Sequence, residues 1–159
     1  MALKDDSDGA VLARNYSTRL DEFVDLDEVT HRSGKPWTGA EAAVKKFGKY
    51  PIYYVERDGG GMVTHKGYIS NMVVNPQEGD PDAEELREHI SDTDTYSDYN
   101  DELDTTTFLV SEGEELETPF HQSDLTVIST GNAVSEDLSR QPAYVKQRPG
   151  DFADFPDQS

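Results

Sequence analysis

The chain contains no cysteine, so a disulfide framework, thiolate ligands and thiol nucleophiles are all excluded. Apolar residues are also scarce. They make up 34% of 159 residues, against a globular norm of roughly 45–50% that also counts glycine. Only part of the chain is therefore expected to be core. No apolar run approaches the roughly 18 residues of a membrane span. The opening stretch, MALKDDSDGAVLARNYS, has no apolar h-region. The expectation is a protein without a membrane partner, acting inside a cell or in a particle assembled there.

Basic residues are few as well, 14 Lys+Arg against 33 Asp+Glu, for a net charge of −19. The imbalance is local. Residues 1–76 hold 11 acids and 10 bases, and residues 77–159 hold 22 acids and 4 bases. An acidic loop or tail gives such a total, and so does a solvated surface of the kind carried in salt-loaded cytoplasm. The Asp-rich, Lys-poor balance resembles that of haloarchaeal proteins, which implies an environment and no activity.

Chemical motifs are missing too. Gly59, Gly60 and Gly61 do not belong to a G-x-x-x-x-G-K-[ST] loop, and a strand rather than a helix is expected after them. No G-x-S-x-G turn supports a nucleophile. His31, His65, His89 and His121 share no ligand spacing. His65 reads as a surface partner of Glu56 across a hairpin. From Asp92 onward, oxygen-bearing residues alternate as in a calcium loop. Tyr96, Ser97 and Leu103 stand where that loop needs an acid or amide, a glycine and a glutamate. No catalytic residue, metal or cofactor is expected, and the chain reads as a non-enzyme.

What the sequence does contain is a β-hairpin. Tyr50 to Arg57 is β-branched and aromatic, Asp58 to Gly61 supplies a reversal, and Met62 to Val74 returns. Gly67, near the middle of the long return strand, predicts a bulge or bend. Thr38 to Gly48 predicts a helix. Thr38 and Glu41 have capping-box spacing, Ala40, Ala43, Val44 and Phe47 form one stripe, and Gly48 is the C′ residue. Residues 77–104 hold 12 acids and one Arg. They read as an acidic insertion with a short helix over 81–90. Thr105 to Ser111 and Asp124 to Thr130 predict two more strands, joined by an acidic link. The fold class is mainly β. It is a small SH3-like barrel with one short packed helix, an acidic insertion and extended termini. Residues 1–36 form an arm or a disordered terminus, 37–130 the barrel, and 131–159 an extended tail.

Two functions from different classes follow. The architecture resembles the small-barrel connector, head-completion and decoration proteins of tailed viruses. With the composition, this implies a structural virion component of a halophilic archaeal virus. It would be a homo-oligomer whose other partners are structural proteins. Trp37, Tyr144, Phe152 and Phe155 would be the aromatic anchors entering neighbouring chains. The alternative is a binding module that contacts nucleic acid or protein through the basic face within 31–66. That face comprises Lys45, Lys46, Lys49, Arg57 and Lys66, with Arg32, Lys35, Trp37 and several tyrosines among them. Against it stands the simpler reading that these bases balance the acidic half.

Crowded acids repel one another, and the Debye length falls from about 10 Å at 0.1 M salt to about 3 Å at 1 M. Thermal stability is therefore expected to keep rising with KCl beyond about 0.2 M. A melting temperature flat from low to molar salt would refute the halophilic reading.

Overall fold

The computed structural model describes residues 9–26, 28–33, 35–56, 60–75, 77, 79–88, 105–134, 143–152 and 155. Their elements are β1 (Gly9–Asn15), α1 (Ser17–Asp25), β2 (Glu28–Ser33), α2 (Thr38–Phe47), β3 (Tyr50–Glu56), β4 (Met62–Val74), α3 (Pro81–Glu88), β5 (Thr106–His121) and β6 (Ala143–Lys146). The fold is mainly β. All six strands join one sheet in the order β2-β5-β4-β3-β1-β6. β1 and β3 run parallel and the other neighbours antiparallel.

The β3–β4 hairpin is where the sequence places it, with Gly60 and Gly61 at positive φ on its return. The pairing of β4 with β5 slips register between Val63 and His65, between Lys66 and Tyr68, and between Ile69 and Asn71. Each slip bends and twists the pair. The bend lies at Gly67, opposite the β5 segment that holds Gly113. A Cβ on Gly67 would overlap the Phe23 ring, and one on Gly113 would overlap the Phe23 carbonyl. Helix α1 therefore lies directly on the sheet where two side chains are missing. The sheet curls around Phe23, which is fully buried.

The curl brings non-adjacent strands together. His31 on β2 reaches Tyr54 on β3 and Asn15 on β1 by hydrogen bonds of 2.5 and 3.2 Å. The Asn15 Oδ1 already accepts the Tyr16 N–H at 2.9 Å, so its amide nitrogen faces the imidazole. Burial pushes the Tyr54 phenol well above its ordinary range, against a smaller opposing effect of Asn15. The Asn15 amide can only donate, so His31 Nδ1 accepts, and the protonated phenol then donates to it as well. Both groups donate to His31 Nδ1, which fixes the ring hydrogen on Nε2.

Helix α2 matches its expected span and ends on Gly48, left-handed at φ 85°. Its expected capping box is absent. The Glu41 carboxylate instead accepts the Val74 N–H at 3.1 Å and ties the helix to the end of β4. Three other expectations are corrected. Residues 9–33 are β1, α1 and β2 rather than an arm, and β1 is buried between β3 and β6. The link after Ser111 is not a loop, because β5 continues to His121. Residues 124–130 make isolated bridges, Thr126 to Ala133 and Val127 to Val145, rather than a strand of the sheet. The insertion is also partly structural. Leu86 of α3 is fully buried with Val73 and Leu109, and its carbonyl accepts the Thr30 hydroxyl at 2.6 Å.

Gly67→Ala and Gly113→Ala should each destabilise the fold by about 1–3 kcal/mol through overpacking. Adding Phe23→Leu should relieve the first in part, where the Phe23 ring is the nearest obstacle and the Ser111 carbonyl a lesser one, and not the second, where the Phe23 carbonyl is nearest. Denaturant unfolding of the four variants checks this. Equal rescue of both would contradict the close approach of α1.

Candidate functional site

Residues 66 and 68 of β4 point away from His65, Gly67 and Ile69, since strand side chains alternate. On this outer face, Tyr53 lies opposite Lys66 and Pro51 opposite Tyr68. A continuous run of aromatic rings covers the region. Phe47 stacks near Tyr50 and both touch Phe155, at centroid distances of 6.3, 5.1 and 5.7 Å. Phe155 and Phe152 both meet Tyr68, at 6.2 and 5.6 Å. Phe152 meets Tyr53, and Tyr53 meets Phe120, at 5.1 and 5.8 Å.

Four cations lie on this run. Lys46 is 5.1 Å from the Phe47 ring, Lys49 is 4.0 Å from Tyr68, Lys66 is 5.7 Å from Phe152, and Arg148 is 3.8 Å from Phe120. Such contacts are worth about 0.5–2 kcal/mol each, more as water is excluded. Carboxylates approach the same cations. Lys49 is 3.2 Å from Glu112, Lys66 4.0 Å from Glu114 and Arg148 3.4 Å from Asp151. Glu112 and Glu114 are 58% and 66% exposed, so their pairs are weak, whereas Asp151 is 13% exposed.

Asp151 belongs to a strap after β6 that crosses the band. Gly150 turns it at φ 85°, and the Asp151 N–H donates to the Arg148 carbonyl at 3.2 Å. The Tyr53 hydroxyl donates to the Asp151 carboxylate at 2.6 Å and accepts the Arg148 N–H at 2.9 Å. Burial first, and that carboxylate second, push the Tyr53 phenol far up, so it remains a donor. Lys66 donates to the Asp151 carbonyl at 2.7 Å.

The structure brings part of the expected basic residues together. Lys46, Lys49 and Lys66 fall on the band. Lys45 is on α2, 3.9 Å from Glu41. Arg57 lies outside the described residues. Arg148 was missed, because proximity in sequence was the only guide to grouping. The expected partner anchors are already occupied within the chain. Trp37, Phe152 and Phe155 are 2%, 5% and 7% exposed. Trp37 packs on Phe108 at 4.5 Å and donates through Nε1 to Ser33. The Tyr144 hydroxyl accepts the Ala40 N–H at 3.1 Å and rests on Gly39. These side chains close this fold, which removes the support they lent to an assembly role.

His65 is not a surface partner of Glu56. It is 6% exposed, pairs with Tyr54 and contacts the Thr64 hydroxyl at 2.7 Å. Burial lowers its pKa, opposed by Glu115, Asp21 and Glu56. His121 accepts the Ser123 N–H as a cap. Among the described residues no cluster of three His, Asp or Glu side chains could hold a metal ion. The calcium-like loop and His89 lie outside the described residues. No described helix is long and apolar enough to cross a membrane.

The class defined so far is a mainly β chain whose single sheet curls in the manner of a barrel. No family model and no curated protein matches the sequence. Among solved structures, the N-terminal domain of Staphylothermus marinus McrB is similar at 15% identity, over 96% of this chain and 94% of that one, with a TM-score of 0.46. A ZmASCH mutant protein from Zymomonas mobilis is similar at 14% identity, over 91% of each chain, with a TM-score of 0.48. Neither likeness assigns a residue role to this chain.

Strand β6 is part of the sheet, so ending the chain after Thr130 should abolish cooperative unfolding rather than spare it. Val145 is fully buried, and Val145→Ala should cost about 1.5–3 kcal/mol. A cooperative melt from the truncated chain would contradict the pairing of β6 with β1.

Proposed function

We propose that the chain is a non-catalytic binding module that takes single-stranded nucleic acid along the outer band. The observation carrying this reading is the series Lys46, Lys49, Lys66 and Arg148, each over an aromatic ring of one continuous run. Four cations from different elements gathered along one run of rings suit an extended polyanion better than a small anion. Most rings beneath them are buried and hold the cations in place, and Phe47, partly buried beside Lys46, is the ring of the run left open to a base.

The net charge of −19 does not oppose this at working salt. Its long-range repulsion is screened beyond a Debye length of about 8 Å at 0.15 M, while the band cations would touch the phosphates. Short-range charge contact then carries binding. High-affinity, charge-steered association is not expected of so acidic a chain.

The test is fluorescence anisotropy with a labelled oligothymidylate across a salt series. Binding should weaken with salt, with a slope of about 0.7 per phosphate contact. Lys46→Glu combined with Lys49→Glu should reduce affinity about tenfold or more and shrink that slope by one to two contacts. No binding at low salt, or unchanged binding by the double variant, would overturn the reading.

A further inference from the structure

We infer that the open cavity beside Arg148 takes the terminal phosphate of a nucleic-acid strand lying on the band. This rests on the reading of the band as a nucleic-acid interface. The cavity has a volume of about 330 Å³ and is lined by Lys146, Gln147, Arg148, Pro149, Gly150 and Phe152. It lies at one end of the run of rings. The run begins at Phe47, under Lys46, and ends at Phe120, under Arg148. A strand that follows the run therefore brings an end of its backbone to this cavity. The described lining holds two cations and no acid. An internal phosphodiester carries one negative charge, whereas a terminal monoester carries about 1.5 to 2. Paired cations thus favour the terminal group.

Arg148 is oriented in advance. Its guanidinium lies 3.8 Å from the Phe120 ring centre, its Nε is 3.4 Å from the Asp151 carboxylate, and its backbone N–H donates to the Tyr53 hydroxyl at 2.9 Å. Among the described residues, no hydrogen bond uses its two terminal nitrogens. Those nitrogens form a planar fork that can grip two oxygens of one phosphate. The side chain is 39% exposed, so the fork can be reached. Fixing a binding group before the ligand arrives lowers the cost of binding. The Gln147 amide donates to the Gly9 carbonyl at 2.9 Å and pins the wall between the two cations. Lys146 ends β6, where its N–H donates to the Thr126 carbonyl at 2.9 Å, and it forms no ion pair among the described residues. Asp151 offsets part of the Arg148 charge, so Lys146 is what makes the cavity cationic.

The experiment uses the full chain and oligothymidylates of one length, labelled internally, with a phosphate at one end, at the other end or at neither. Anisotropy gives the ratio of phosphorylated to unphosphorylated affinity. A strand has a direction, so for wild type a phosphate at one end and not the other should raise affinity about three- to tenfold. Lys146→Gln and Arg148→Gln should each bring that ratio to about one. Lys45→Gln removes the same charge from α2, where Lys45 is exposed and lies beside Glu41, and should keep the ratio. The Lys146 side chain is exposed and should be dispensable for folding, so Lys146→Gln decides alone should Arg148→Gln fail to fold. No gain from either end, equal gains from both, a ratio that Lys146→Gln retains, or one that Lys45→Gln also loses would each overturn the cavity's role while leaving the interface standing. Binding of none of the strands overturns the interface, and the cavity's role with it.

Discussion

The structure depends on how closely Phe23 approaches Gly67 and Gly113. A long antiparallel pair such as β4–β5 has no reason of its own to curl into a closed shape. Register slips provide the bend, and missing side chains at 67 and 113 let α1 sit inside it. From that contact the interior follows. With β2 brought over β3 and β1, His31, Tyr54 and Asn15 meet in a region lined by Phe23 and Phe108. Buried polar groups of this kind are costly unless partnered. Their mutual hydrogen bonds make one curvature the consistent one.

The outer face follows from a second constraint, the shortage of aliphatic residues. A sheet needs both faces accounted for, and α2 contributes only Phe47 to the run of rings. Tyrosine and phenylalanine do most of the remaining work because each buries a large area. The strap supplies two of those rings. Cations laid over the ring run cover apolar surface with their stems and hold their charge at the rim. A layer assembled this way is held by ring contacts rather than by the ladder hydrogen bonds of a second sheet.

The legible parts of the fold were those where a residue's role is local. The β3–β4 hairpin, the bend at Gly67, and α2 with its Gly48 terminus each depend on neighbours a few positions away. β1 was not legible, because a strand buried on both faces reads GAVLARN, a short apolar run without alternation. The second half of β5 was not legible for the opposite reason. Its EGEELE stretch is held by backbone pairing to β4 and buries little, so no hydrophobic pattern marks it. Thr38 and Glu41 had the right spacing for a cap, and tertiary context won when Glu41 found the Val74 amide. At the site, Lys46, Lys49 and Lys66 were visible as bases among aromatics. Phe152 and Phe155 looked like anchors for another molecule, since no local signal tells a tail ring that its partners, Tyr53 and Tyr68, lie about 100 residues earlier.

The simpler reading of the bases, that they balance the acidic half, is realised in part. Lys49 with Glu112 and Lys66 with Glu114 join the two halves of the chain. Because Glu112 and Glu114 are mostly exposed, each pair is worth about 0–1 kcal/mol. Losing either contact would cost the fold little, since each carboxylate is already close to water. The Asp151 contacts differ, because that carboxylate is largely buried and fixed by Tyr53 and Arg148 together. Freeing Asp151 means moving a whole segment of chain. The band thus has two kinds of acid on it, the loosely held Glu112 and Glu114 and the firmly held Asp151.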